Sequence, residues 1–337
     1  MTRRHQRLFV VGDRLGWSID DDSERLVRTA HRLGYRVGSN TWLRVLRRQR
    51  VFQHNHFNAL QPRWLESSHR LGLSYFHGRP GTPGYPEFDR AYAALRANTA
   101  RVDCVQVTHA EMQELVLDAG VPAERVFKIP IGVDLEHFPL APGRGGPEFV
   151  IGSFLKDGVG MAEGYEPKLL KGPDVFVAVV DRLRHTIPEL SVLLTGPARG
   201  YVRRELERLR VRHRHVVAPA RGALAQAYHA TDVCLVTSRQ EGGPKAVLES
   251  MATGVPLVTT RVGQATDLVR TGENGWLCDV EDAEGLAEAA VQVANASSAD
   301  LAPVLDAARE TAEACSWQAL RPRWAALFRG FVAMEEA

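Results

Sequence analysis

Short apolar runs rich in β-branched residues alternate along this chain with longer stretches whose apolar positions recur at helical spacing. LFVVG (Leu8 to Gly12) reads as a strand, and the loop GDRLGWSIDDD leads into a helix from about Ser23 to Leu33. That strand, loop, helix order opens a βα repeat. VFQHNHF (Val51 to Phe57), LSYFHG (Leu73 to Gly78), Arg101 to Val107 and RVFKIP (Arg125 to Pro130) are further strands. Thr108-His109-Ala110-Glu111 has the spacing of a capping box, opening a helix that Gly120 ends. LAPGRGGPEF (Leu140 to Phe149) is the strongest linker, dense in Pro and Gly between patterned segments. A second series follows: FVIGSF, a helix over 173–185, SVLLTG, a helix over 201–212, RHVVAP, a helix over 222–230, then VCLVTS (Val233 to Ser238). The last run is continuously apolar, as buried parallel strands are. The pattern predicts an α/β protein of two Rossmann-like, doubly wound domains facing a cleft, with ligands beyond the carboxyl ends of the strands. The expected divisions are 1–143 and 147–316, with a C-terminal helix over 317–337.

Length and composition agree with that picture and narrow it. A chain of 337 residues can build two separate cores. A net charge of +2, with 24% charged residues, gives no reason to expect a nucleic-acid partner. Cys104, Cys234, Cys278 and Cys315 lie far apart and read as reduced, buried residues rather than a disulfide framework or a CxxC metal site. The apolar run near the N-terminus is five residues long, short of a signal peptide or membrane span. A soluble cytoplasmic protein is the expectation. Thr41 to Arg50 interleaves Trp42, Leu43, Val45 and Leu46 with four arginines, which suits peripheral contact with an anionic membrane or an anionic acceptor.

The most informative stretch is EGGPKAVLE, from Glu241 to Glu249. Gly242 and Gly243 let the main chain approach a ligand closely. Pro244 suits the first position of a helix. The N–H groups and positive dipole end of that helix, around Ala246 and Val247, would meet a phosphate. Helix side chains lean toward the N-terminus, so Glu249 aims at the same place as Glu241. Two carboxylates beside a phosphate cradle are better suited to accepting hydrogen bonds from sugar hydroxyls than to touching the phosphate.

With its flanks, SMATGVPLVTT (Ser250 to Thr260), VGQATDLV (Val262 to Val269) and TGENGWLCDVED (Thr271 to Asp282), this stretch resembles the retaining group 1 glycosyltransferases, family 4, of the GT-B fold. The resemblance covers the second half well and the first half loosely, and it implies that the C-terminal helix over 317–337 packs back on the first domain. It implies that Glu241 binds hydroxyls of the transferred sugar and Glu249 the ribose of a nucleotide. It also implies that Lys171, in Lys171-Gly172, binds the donor diphosphate. The family arginine expected just after Gly152 is missing, for Ser153 and Phe154 stand there; Lys156 is the nearest substitute and Lys168 a weaker one. Lys245 either adds charge near the phosphates or faces solvent. Gly12 and Gly16, in GDRLG, match the fold's Gly-rich approach to the diphosphate without forming a GxGxxG fingerprint. His77 matches a family histidine beside the reacting sugar.

No cofactor is required on this reading, because the nucleotide sugar, of UDP or GDP type, is itself a substrate. No metal is expected either. His54 and His56 share a strand face without a third ligand nearby in sequence, and Asp20-Asp21-Asp22 reads as a helix N-terminus complementing the dipole. The implied reaction moves a sugar to a hydroxyl acceptor, the departing diphosphate helping to deprotonate that acceptor on the same face. Two other classes fit the same residues: another GT-B enzyme, such as a sugar-nucleotide epimerase or a phosphorylase, and a non-catalytic sugar-nucleotide-binding subunit.

Overall fold

A computed structural model describes residues 7–11, 18–38, 50–54, 70–76, 78–141, 146–160, 162–217 and 221–332. The chain forms two compact units, Met1–Pro130 with Trp317–Ala337, and Ile131–Ser316. Each is built on a six-stranded parallel sheet.

In the first unit the strands are β1 (Arg7–Val11), β2 (Arg36–Gly38), β3 (Arg50–Gln53), β4 (Arg70–Ser74), β5 (Val102–Val107) and β6 (Val126–Lys128), in the order β2-β1-β3-β4-β5-β6. In the second they are β7 (Phe149–Phe154), β8 (Leu190–Thr195), β9 (Arg212–Val216), β10 (Val233–Val236), β11 (Leu257–Thr260) and β12 (Trp276–Cys278), ordered β12-β11-β10-β7-β8-β9. β5, β8, β10 and β11 are buried along their whole length, as strands covered on both faces by helices must be. In the second unit Ile151, Val192, Leu194, Val233, Leu235 and Val258 from the sheet pack against Val179, Val180 and Leu286 from the covering helices. The C-terminal helix Trp317–Val332 buries Leu320, Trp324, Leu327, Phe328 and Phe331 against Leu8, Phe52 and Cys104 within the first unit.

Several local expectations shift. The division falls at Pro130/Ile131, upstream of the Pro- and Gly-rich stretch. Residues 131–141 fasten to the second unit instead: the Val133 N–H reaches Cys315 O at 3.2 Å, and the Ala141 N–H reaches Thr253 O at 2.8 Å. Strands β3 and β4 lie earlier than the apolar runs suggest. Arg70 opens β4 in a bidentate pair with Asp103 of β5, and Arg50, a buried residue, opens β3. The rest of Thr41–Arg50 lies outside the described residues, as does His56. The first helix begins at Ser18, so Asp20 to Asp22 sit inside it rather than ahead of it. No capping box forms at Thr108: His109 is the N-cap without a side-chain cap bond, and Glu111 turns to Arg79. The Thr108 hydroxyl is engaged by His109 Nδ1 at 2.9 Å and by Phe76 O at 3.4 Å. The helix expected over 201–212 ends at Arg208, because Arg210 takes the left-handed φ of 58° and turns the chain into β9. All four cysteines are free thiols. Among the described residues no helix is long and apolar enough to cross a membrane.

Candidate active site

At the centre of the second sheet β7 and β10 lie side by side. The chain continues from β7 to β8 and β9 on one side, and from β10 to β11 and β12 on the other. That reversal is a topological switch point, where open α/β sheets bind ligands beyond their carboxyl ends. The loop after β7 carries Lys156 and Lys171, and the loop after β10 carries Glu241 to Pro244 and leads into a helix that Lys245 opens.

These two loops meet in an ion pair. Lys171 Nζ lies 2.6 and 2.7 Å from the two carboxylate oxygens of Glu241. Ser238 Oγ donates to the same carboxylate at 2.9 Å. Thr260 Oγ1 in turn donates to Ser238 O at 2.6 Å, so the end of β11 helps hold the group. Lys171 is presented by a left-handed Gly172, φ 63°, whose carbonyl accepts from Thr237 Oγ1 at 2.8 Å. A Cβ on Gly172 would come within 1.9 Å of Thr237 O. Gly172→Ala combines that backbone collision with an unfavourable φ, and it is expected to displace Lys171 and destabilise the second unit by about 1–3 kcal/mol. Melting temperature checks this; a variant as stable as the parent would show that the loop tolerates the shift.

The Gly242-Gly243 turn is packed as closely. Gly242 O accepts from the Gln264 N–H at 3.0 Å. Gly263, at φ 52°, lies so near that a Cβ there would stand 2.6 Å from Gly242 O and 2.7 Å from Glu241 O. Gln264 is fully buried, and its Oε1 accepts the Ile131 N–H at 2.8 Å. A Cβ on Gly243 would meet that oxygen at 2.8 Å. Glycine at 243 thus lets the turn lie against Gln264. Pro244 is the N-cap, one position ahead of the helix Lys245–Thr253, and offers no side-chain cap to its first N–H groups. Ala246 and Val247 are buried at that start, with Lys245 half-buried beside them. One turn on, Glu249 Oε2 accepts from the Tyr228 hydroxyl at 2.8 Å.

An arginine does stand near Ser153, but it arrives from another loop. Arg199, fully buried ahead of the helix Gly200–Arg208, donates through Nη1 to Ser153 O at 2.8 Å, Leu155 O at 3.0 Å and Thr195 O at 2.9 Å. Its Nη2 reaches Ser153 Oγ at 3.0 Å, and its Nε lies 2.9 Å from Asp157 Oδ1. Burial raises the Asp157 carboxyl pKa against the pull of Arg199, and burial lowers that of Arg199. This guanidinium faces inward and is balanced by a carboxylate, so it braces the loop and brings no charge to a ligand. The Gly-rich insertion completes the brace: Gly200 N–H donates to Glu163 O at 2.6 Å and Tyr201 N–H to Gly164 O at 3.0 Å. Lys156, half-buried on the same loop, has its ammonium pKa lowered by desolvation. Motif reading passes over Arg199, although TGPARG after an apolar run is a visible strand-to-helix junction.

Lys171, Glu241, the Gly242-Gly243 turn and the helix start with Lys245, Ala246, Val247 and Glu249 therefore gather at one sheet edge, with Lys156 on the neighbouring loop. Gly12, Gly16 and His77 lie outside the described residues. His54 is a buried residue whose Nδ1 bonds Ser74 Oγ at 2.8 Å.

Comparison with known proteins bears on the same region. Residues 161–296 match the family described as Glycosyl transferases group 1. D-inositol 3-phosphate glycosyltransferase of Xylanimonas cellulosilytica is 33% identical over 194 residues, 53% of this chain and 45% of that protein. The chain thus spans less than half the length of that relative. Two solved structures share the fold over almost the whole chain. HepE of Anabaena, in complex with UDP and glucose, aligns with TM-score 0.75 and 15% identity over 96% of this chain and 99% of that one. Sucrose-phosphate synthase of Thermosynechococcus elongatus aligns with TM-score 0.77 and 18% identity over 98% and 100%. Their likeness gives the architecture, that of the GT-B fold, and the region that matches the group 1 glycosyltransferases carries the Glu241–Glu249 motif and Lys171.

Proposed function

We propose that this protein is a retaining glycosyltransferase that moves a sugar from a nucleoside-diphosphate sugar to a hydroxyl acceptor. The observation that carries the reading is the Lys171–Glu241 pair at the switch point, beside the start of the helix Lys245–Thr253. In this reading the diphosphate lies at the start of the helix Lys245–Thr253, where backbone N–H groups and the helix dipole favour anions. Lys171, with Lys156 and Lys245 nearby, supplies the cations; Arg199 supplies none. Glu241 accepts a hydrogen bond from a hydroxyl of the transferred sugar, and Glu249 from the ribose.

The reaction breaks the bond between the anomeric carbon and the phosphate oxygen. A new carbon–oxygen bond to the acceptor forms on the same face, and the acceptor proton passes to the departing diphosphate. Charge builds on the leaving group, so a preorganised cation and helix start lower the barrier most. HepE, which shares the fold, was solved with UDP and glucose, and this supports a nucleotide-sugar donor.

Two variants separate the roles. Glu241→Ala is expected to lower turnover about 10²-fold or more while nucleotide affinity changes little. Glu249→Ala is expected to weaken nucleotide binding by roughly 1.5–3 kcal/mol, the worth of a hydrogen bond to a charged group. Calorimetric titration with UDP and GDP, beside turnover on the matching donors, reads both. Retained turnover in Glu241→Ala, or unchanged affinity in Glu249→Ala, would count against the assignment concerned. Thermal shifts against UDP, GDP, ADP and dTDP identify the base, since a ligand at a hundred times its Kd adds about 2.7 kcal/mol of stability.

A further inference from the structure

Tyr228 is a fully buried side chain whose hydroxyl is spent on a residue of the proposed nucleotide site. It lies on the helix Arg221–His229, with none of its surface exposed. Its ring is gripped edge-on by Phe154, the last residue of β7, at a centroid distance of 4.3 Å, and by Phe138 at 5.9 Å. Such packing fixes where the hydroxyl stands, because a buried ring held on two sides has one rotamer. That hydroxyl donates to Glu249 Oε2 at 2.8 Å. Burial raises the phenol pKa well above its ordinary value, so the group stays a donor at any working pH.

Glutamate on a helix surface has three rotatable bonds and loses much of its freedom when it must hold one pose for a ligand. A hydrogen bond from a rigid, buried donor removes that freedom before the ligand arrives. We infer that Tyr228 is a positioning residue for ribose recognition, holding Glu249 so that the protein favours a ribonucleoside diphosphate over its 2′-deoxy counterpart. The inference rests on the ribose role proposed for Glu249.

Tyr228→Phe removes one oxygen and keeps the ring between Phe138 and Phe154. Kd is measured by calorimetry for UDP, 2′-deoxy-UDP, GDP and 2′-deoxy-GDP in the unaltered protein, Tyr228→Phe and Glu249→Gln. The unaltered protein is expected to favour the ribo form of its base about tenfold, one charged hydrogen bond's worth. In Tyr228→Phe the ratio is expected to fall to about twofold, chiefly through weaker binding of the ribo form. A merely structural tyrosine would weaken both forms alike and leave the ratio intact, and that result overturns the inference. Should Glu249→Gln collapse the ratio while Tyr228→Phe keeps it, the inference fails and the ribose role stands. If Glu249→Gln also keeps the ratio, or no ribonucleotide binds, the ribose role fails and the inference falls with it.

Discussion

Lys171→Met is expected to lower turnover about 10²–10³-fold, the usual loss when one preorganised group facing a developing negative charge is removed. The size follows from what the side chain touches. Its ammonium lies within 2.7 Å of both oxygens of Glu241. Removing it therefore takes a cation from the proposed leaving group and also releases the carboxylate proposed to meet the sugar. Glu241 keeps Ser238 as a donor, so it does not become an orphan charge. With Lys171 24% and Glu241 11% exposed, stability is expected to fall by about 1 kcal/mol. Lys171→Arg keeps the charge but replaces a point donor with a planar fork, and Thr237 already crowds Gly172 behind it, so partial rescue is expected. Initial rates at saturating donor, with melting temperature as the check on folding, decide the matter. Parental turnover in Lys171→Met would remove the lysine from the mechanism.

Local chemistry was legible in the sequence, and long-range chemistry was not. Gly242, Gly243 and Pro244 announce a turn into a helix by their own backbone preferences, and the helix begins within one residue of the expectation. Lys171-Gly172 is equally local, since a left-handed glycine after the lysine is what turns the loop into the next helix. By contrast, Arg199 finds Ser153 and Asp157 from 46 and 42 residues away, and Tyr228 finds Glu249 across 21. Nothing in the spacing of those residues signals that they meet. The unit boundary fails for a related reason. Pro and Gly make Leu140 to Phe149 look like a linker, yet the preceding residues are tied down by Gln264, Cys315 and Thr253, all distant in sequence. The capping box at Thr108 fails because Arg79 competes for Glu111, a rivalry no local pattern contains.

Arg199→Met is expected to destabilise the second unit by about 3–5 kcal/mol, the cost of leaving a buried charge without its partner. Asp157 is 2% exposed and would remain so, with its carboxylate facing the space the guanidinium left. Four further acceptor contacts, at Ser153, Leu155 and Thr195, would lose their donor together. For a unit of this size the loss corresponds to a fall of roughly 6–20 °C in melting temperature. The pH dependence carries a sign that separates this cause from a general packing defect. Burial already raises the Asp157 pKa in the folded protein above its ordinary value, and Arg199 and its hydrogen bond are the next largest influences, both lowering it. Without them the folded pKa rises further. A carboxyl whose folded pKa exceeds its unfolded one binds its proton more tightly when folded, so stability rises as pH falls toward about 4. The gap between Arg199→Met and the unaltered protein should therefore be widest near pH 7 and narrow on acidification. Adding Asp157→Asn removes the stranded charge and should recover part of the loss at pH 7 while flattening that dependence. Scanning calorimetry between pH 4 and 8 on the three proteins reads all of this. A single variant that melts with the parent at pH 7 would show that Arg199 is not the brace of the loop that carries Lys156, and the argument that its charge is spent internally would go with it.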